Sequence, residues 1–277
     1  MLRARLLVGS FLILLVSSAF AVDFLVDQPW MLTATVAVLA GVGAYELCAM
    51  AHRAGRRPFR AIAVAGTVAL VAVSHGVPGS DAVGLRGELI GLVLVALLGA
   101  MLIAQRLRGS LEGALDNCGS TLMAVVYVGF LMSFLTRIRL LQGVGLAGVV
   151  LVVFAAKTGD IAAYFVGKSI GRRKLAPMVS PNKTVAGAVA GLAVSIAVGT
   201  AVAMASGILP LPQAMAVSGM IGVLAQLGDL SESVLKRDLN AKDASASVPG
   251  FGGVLDILDS FLFAAPAAYF VFWCLAA

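Results

Sequence analysis

Between Ser233 and Asp259 the chain reads SVLKRDLNAKDASASVPGFGGVLDILD, which gathers Lys236, Arg237, Lys242 and several carboxylates around a glycine-rich turn. Lipid does not tolerate such a cluster without a compensating role, and most of the remaining sequence is hydrocarbon. Asp256 and Asp259, three residues apart, share one face at the start of the last apolar block, and Asp229 closes the preceding block at the same depth. Three carboxylates meeting at one membrane face suit a hard divalent cation, Mg²⁺, bound through oxygen. His52 and His75 are too few and too scattered for a zinc set. Successive glycines such as Gly252 and Gly253 let backbone N–H groups converge on an anion at a helix start. Acidic metal ligands, lysines and an anion nest together equip a protein for phosphoryl or nucleotidyl transfer, in which the chain mostly positions and neutralises charge. A solvated basic loop is the plainer reading, and it leaves Asp256 and Asp259 inside the helix unexplained.

A second polar constellation runs from Ala155 to Leu192, AAKTGDIAAYFVGKSIGRRKLAPMVSPNKTVAGAVAGL. Asp160 falls about 19 residues, roughly 28 Å of helical rise, past the start of its apolar block, at the inner edge of the hydrocarbon. A carboxylate there needs a partner, and Lys157 at i−3 can supply one. The pair either neutralises two misfit charges or serves a substrate or cation. Tyr164, one turn further on, has the character of an interfacial anchor. Ser180-Pro181-Asn182-Lys183-Thr184 immediately precedes the next apolar block, where Ser180 or Asn182 can cap a helix whose N-terminus, with Lys183 beside it, suits phosphate. A plain capped helix start fits the same spacing.

These residues must be positioned by a membrane scaffold. The chain is 60% hydrophobic and 12% charged, with a mean hydropathy of +1.01. Apolar blocks near 6–22, 30–50, 61–76, 88–104, 118–136, 141–163, 185–207, 211–228 and 254–275 predict an all-α polytopic protein of about nine transmembrane helices. With a cytoplasmic N-terminus, 16 of the 20 Lys and Arg fall in inner segments, so the positive-inside rule supports the odd number of spans. The active site is then expected at the cytoplasmic ends of the C-terminal helices. The first block resembles a cleaved signal sequence, but charge parity favours its retention. Residues 1–140 read as a scaffold of about five helices and 141–277 as a catalytic domain of about four. Cys48, Cys118 and Cys274 are odd in number and lie in apolar runs, which suggests neither a disulfide framework nor a thiolate metal site.

At these motifs the chain resembles the phosphatidate cytidylyltransferase (CDP-diacylglycerol synthase) family. Ser233, Lys236, Arg237, Lys242, Asp243, Gly252, Gly253, Asp256 and Asp259 fill the family's C-terminal signature. Asp160, Ala163, Tyr164, Gly167, Gly171, Leu175, Pro177, Ser180, Pro181, Lys183 and Thr184 match its upstream block. The resemblance is strong over about 155–260 and is carried further upstream only by hydropathy and Glu46. Phe251, Ile257 and Ala186 depart from the histidine, arginine and acidic residue usual at those places. The resemblance implies Mg²⁺-dependent conversion of CTP and phosphatidic acid to CDP-diacylglycerol and pyrophosphate, in phospholipid biosynthesis at a bacterial inner membrane. Asp229, Asp256, Asp259 and Asp160 would hold metal. Lys236, Arg237, Lys242, Asp243 and Lys183 would form the catalytic set, while Ser180, Asn182, Thr184, Ser233, Gly252, Gly253 and Tyr164 would contact substrate. A homodimer is implied by the family alone, and nucleic acid is not an expected partner.

Two other functions compete. A CTP-dependent transferase or kinase acting on a polyprenol or ether lipid would keep the nucleotide features and change only the lipid cavity. A secondary transporter would use Asp160 and Lys157 as an ion relay, but the charges cluster at one face and no inverted repeat is visible.

Overall fold

The computed structural model describes residues 22–23, 25, 29–76, 83–245, 247 and 252–276. Eight helices of more than a few turns follow in order among them: α1 Trp30–Arg53, α2 Arg60–His75, α3 Val83–Leu107, α4 Ala114–Arg139, α5 Gly145–Ile170, α6 Val185–Ser206, α7 Leu211–Asp238 and α8 Leu255–Ala276. All but α2 are long and apolar enough to cross a bilayer. At 16 residues α2 rises only about 24 Å, short of a hydrocarbon core of about 30 Å. The chain is an integral, multi-pass membrane protein. All but the last residue of the span expected at 6–22 lies outside the described residues.

Two compact units divide the chain. One takes Met1–Thr136 and Leu239–Leu258, the other Arg137–Asp238 and Asp259–Ala277. In the first, α1 packs on α2, and α2 on α3 and on a π-helical turn, Val125–Phe130, inside α4. Gly129 in that turn sits where a Cβ would stand 2.8 Å from the Thr67 backbone, so only glycine permits the approach. The basic connection between α1 and α2 is held by side chains of α4: the Arg57 N–H donates to Asn117 Oδ1 at 2.7 Å and the Phe59 N–H to Thr121 Oγ1 at 2.8 Å.

In the second unit, α5 and α6 meet along small residues. A Cβ on Gly159 would collide with Ser195, and one on Gly187 with the Ala163 carbonyl. Close backbone approach replaces the hydrophobic drive that lipid cannot supply, and the Ser195 hydroxyl fastens the seam by donating to the Ala155 carbonyl at 2.8 Å. Helix α7 joins this pair through Gly222 against Ser195 and Ser218 against Gly199.

The all-helical architecture carries one short hairpin, in which β1, Lys174–Ala176, pairs antiparallel with β2, Ser180–Thr184, and two expectations change. Pro177 and Pro181 exclude a helix there and leave an extended hairpin. Ser180 and Asn182 therefore lie in a strand, and the cap of α6 is Thr184, whose Oγ1 accepts from the Gly187 N–H at 3.2 Å. Helices α5 and α7 also run well past the predicted ends at 163 and 228, to Ile170 and Asp238. Charges on these extensions are compatible with a helix because their spacing pairs them, as Glu232 with Lys236 at i+4.

Candidate active site

On α7, Gln226, Asp229, Glu232, Ser233 and Lys236 recur at three- and four-residue steps and so form one polar stripe. The stripe meets Asp259 because Gly228 carries no side chain: a Cβ there would stand 2.3 Å from the Asp259 carbonyl oxygen. That contact brings the Asp259 backbone directly against α7. Asp229, Glu232 and Asp259 consequently offer carboxylate oxygens all within 4.8 Å of one another, Glu232 fully buried and Asp259 6% exposed.

Each acid faces a lysine. Lys183 Nζ, from β2, lies 2.7 Å from Asp229, and Lys236 Nζ lies 2.6 Å from Glu232. Lys157 Nζ, from α5, stands 3.7 Å from Asp259 and 3.4 Å from Asp160, with the Phe261 ring centroid 4.8 Å away. Buried like charges repel strongly at low dielectric, so interleaved ammonium groups are what allows four acids to crowd together.

Beside the acids opens a cavity of about 560 Å³, walled by α5, the hairpin, the start of α6, and α7. Asp160, Asp229, Lys183, Asn182, Thr184 and Tyr164 line it, with Lys174 and Lys168 adding positive charge and Gly167, Gly171 and Gly187 forming a thin wall. Gln226 lines it too, its amide fixed by donation to the Ala188 carbonyl at 3.1 Å. The Arg237 guanidinium ties the end of α7 to the hairpin by donating to the Val179 carbonyl at 3.1 Å. Ser233 is buried on the α7 stripe, and Ser180 sits opposite Ala176 in the hairpin.

The remaining signature residues lie in the first unit. Lys242 and Asp243 are exposed. Asp256 Oδ2 accepts from the Gly253 N–H at 2.6 Å and the Ala244 N–H at 3.0 Å, which orders the turn before α8. Gly252 adopts φ +96°, and a Cβ there would stand 2.6 Å from Asp256 Oδ2. Glu46, buried in α1, accepts from the Ser245 hydroxyl at 2.6 Å, the Leu255 N–H at 2.8 Å and the Ser247 hydroxyl. Gly253 presses against the same carboxylate.

Sequence reasoning did not single out Glu232 or Gly228. The signal for Glu232 was its i+3 spacing from Asp229 and i+4 spacing to Lys236; nothing local signals Gly228.

The sequence pattern of the Cytidylyltransferase family matches residues 3–275. The chain belongs to that family. Among curated relatives, a phosphatidate cytidylyltransferase of Bacillus subtilis (strain 168) is 39% identical over 158 residues, 56% of this chain and 58% of the relative. This match thus spans little more than half of the Bacillus protein. A phosphatidate cytidylyltransferase of Chlamydia pneumoniae is 31% identical over 297 residues, 95% of this chain and 88% of that one. An Escherichia coli (strain K12) relative at 33% identity over 66% of this chain and 64% of its own length bears the name uncharacterized protein YnbB. Membership of the family gives the lysine-lined cavity a reading, since a nucleoside triphosphate needs cations along its phosphates.

Proposed function

We propose that this cytidylyltransferase transfers the cytidylyl group of CTP to phosphatidic acid, giving CDP-diacylglycerol and pyrophosphate. The observation that carries the reading is the trio Asp229, Glu232 and Asp259, with each acid paired to a lysine from a separate turn or element, next to a cationic cavity. The names of the Bacillus and Chlamydia relatives supply the lipid substrate.

Three mutually close carboxylate oxygens fit a hard divalent cation, and we assign Asp229, Glu232 and Asp259 to Mg²⁺, with Asp160 beside them. Bound there, Mg²⁺ would supply charge neutralisation on the phosphates and polarise the α-phosphoryl group. Lys183 and Lys236 now neutralise carboxylates; released from them, they become the ammonium groups available to phosphate oxygens. Asn182 and the Lys174 ammonium line the same cavity for further contacts. A phosphatidate oxygen attacks the α-phosphorus, and the bond from that phosphorus to pyrophosphate breaks. The phosphate monoester is already anionic at neutral pH, so the reaction asks for no general base. The skew of Lys and Arg among the loops supports a cytoplasmic location for this chemistry.

The direct test incubates detergent-purified protein with CTP labelled at the α-phosphate, phosphatidic acid and Mg²⁺. A labelled, chloroform-soluble nucleotide lipid is expected. No such product under conditions where an authentic synthase works would overturn the assignment.

A further inference from the structure

At one end of the first unit the α1–α2 and α3–α4 connections frame an open cavity of about 610 Å³ that the proposed reaction leaves unused. His52, Arg57, Arg60 and Arg108 line it against one acid, Glu112. Among the described residues no ion pair joins these three arginines to an acid, so their charge stays available to a ligand. Neutral groups shape the walls. Gln105 and Asn117 are 4% and 5% exposed; the Gln105 amide donates to the Ser110 carbonyl at 2.7 Å and the Asn117 amide to Gln105 Oε1 at 3.2 Å. The Arg108 guanidinium crosses between the connections, donating to the Arg57 carbonyl at 2.5 Å and lying 3.9 Å from the Phe59 ring centroid. Arginines present only to orient a membrane protein need neither buried amides nor a shaped cavity.

Leu107, Leu111 and Leu115 follow at four-residue steps from the end of α3 to the start of α4, and they are 81%, 81% and 90% exposed. Water is a poor setting for such a series, and acyl chains are a good one. We propose that this cavity binds the phosphate-bearing headgroup of an acidic phospholipid, with the arginines on the phosphate and the leucines against the chains. Arginine suits the role because its planar fork can give a phosphate two parallel hydrogen bonds, and basic pockets between membrane helices are known anionic-lipid sites. A free phosphate ion shares the headgroup's chemistry but has no use for the leucines. The site is built from none of the residues of the acid cluster, so it stands whatever lipid the enzyme converts.

Native mass spectrometry of the full-length protein released from detergent resolves individual lipid-binding steps. Titration with phosphatidylglycerol, which is not the proposed substrate, is compared with titration with phosphatidylcholine. Wild type is expected to show a binding step that prefers phosphatidylglycerol. Arg57→Gln should weaken that step about fivefold, the worth of one basic residue against an anionic lipid. Arg57 is exposed and its side chain holds no other group in place, so the variant should fold. Arg106→Gln makes the same charge change on the same connection but outside the cavity, and should alter the step by less than about twofold. Equal weakening by the two variants would reduce the arginines to a diffuse positive charge and overturn the proposal. A wild type with no preference for phosphatidylglycerol overturns it without any variant. Displacement of the bound lipid by excess inorganic phosphate would assign the cavity to a free anion and overturn the lipid assignment.

Discussion

Glu46 and Glu232 are both buried acids, 3% and 0% exposed, in a chain made mostly of hydrocarbon, yet they are satisfied in opposite ways. Glu46 in the first unit is surrounded by neutral donors, two serine hydroxyls and a backbone N–H from the segment that precedes α8. Glu232 in the second unit meets an ammonium, and its neighbours Asp229 and Asp259 meet two more. Neutral donors on a connecting segment fasten it to a helix, and nothing in the arrangement invites exchange. Ammonium groups on carboxylates are different, because a divalent cation can take the acids while the lysines turn to phosphate. The first arrangement builds structure and the second stores binding capacity.

The strongest way to break this contrast is to neutralise the trio. Asp229→Asn or Asp259→Asn should lower the rate of CDP-lipid formation by about 10³-fold or more, since each removes a charge that the proposed Mg²⁺ site uses. The thermal midpoint in detergent should stay within a few degrees of wild type, because fewer acids crowd together. A variant that keeps its turnover would place the chemistry elsewhere.

Gly228→Ala tests how the trio is assembled. Its new methyl group would stand 2.3 Å from the Asp259 carbonyl, so α8 must shift away from α7. A displacement of about 1 Å can cost about 10²-fold in rate. Turnover should fall by roughly that factor, and the Mg²⁺ concentration for half-maximal rate should rise; an unchanged Mg²⁺ requirement would separate Gly228 from the site.

On the other side of the comparison, Glu46→Leu strands the buried Leu255 N–H and removes the acceptor of two serine hydroxyls, one half-buried and one exposed. Stability measured by denaturant unfolding in detergent should drop by about 2–4 kcal/mol. Glu46→Gln retains an acceptor for the N–H, while the hydroxyls can rotate to accept, so about 1 kcal/mol or less is expected. Full stability in the leucine variant would show that the serine and backbone contacts do not fasten the segment.

How much of this was legible in the sequence follows from the range of each interaction. The apolar blocks gave the helices, because span length and hydropathy are local. The hairpin was invisible: three- and five-residue strands around two prolines carry no periodicity. The last third of α7 read as loop because charged residues are loop signals until their i+4 partners are counted. Asp229 and Asp259 stood out as intramembrane acids, whereas Glu232 was overlooked among the charges beside Lys236. The hold of Glu46 on Ser245 joins residues 199 apart in the chain, a distance at which no spacing rule operates.

Thr184 makes the finest test, since it lies in the catalytic unit and lines the cavity but is satisfied in the manner of Glu46. It is 4% exposed, and its Oγ1 is occupied as acceptor for the Gly187 N–H at the start of α6. The hydroxyl also packs where a Cβ on Gly171 would collide with it, so it is wedged between α5 and α6. Its contact pattern is that of a fastener. Thr184→Ala should therefore cost about 1 kcal/mol of stability, the usual value of a helix cap. Thr184→Ser, which retains the acceptor, should recover most of it. The KM for CTP should move less than about threefold in either variant, because the lysines are the groups proposed to bind phosphate. A KM that rises tenfold in Thr184→Ala at wild-type stability would put the hydroxyl on the substrate and end the division between fastening and binding groups within this unit.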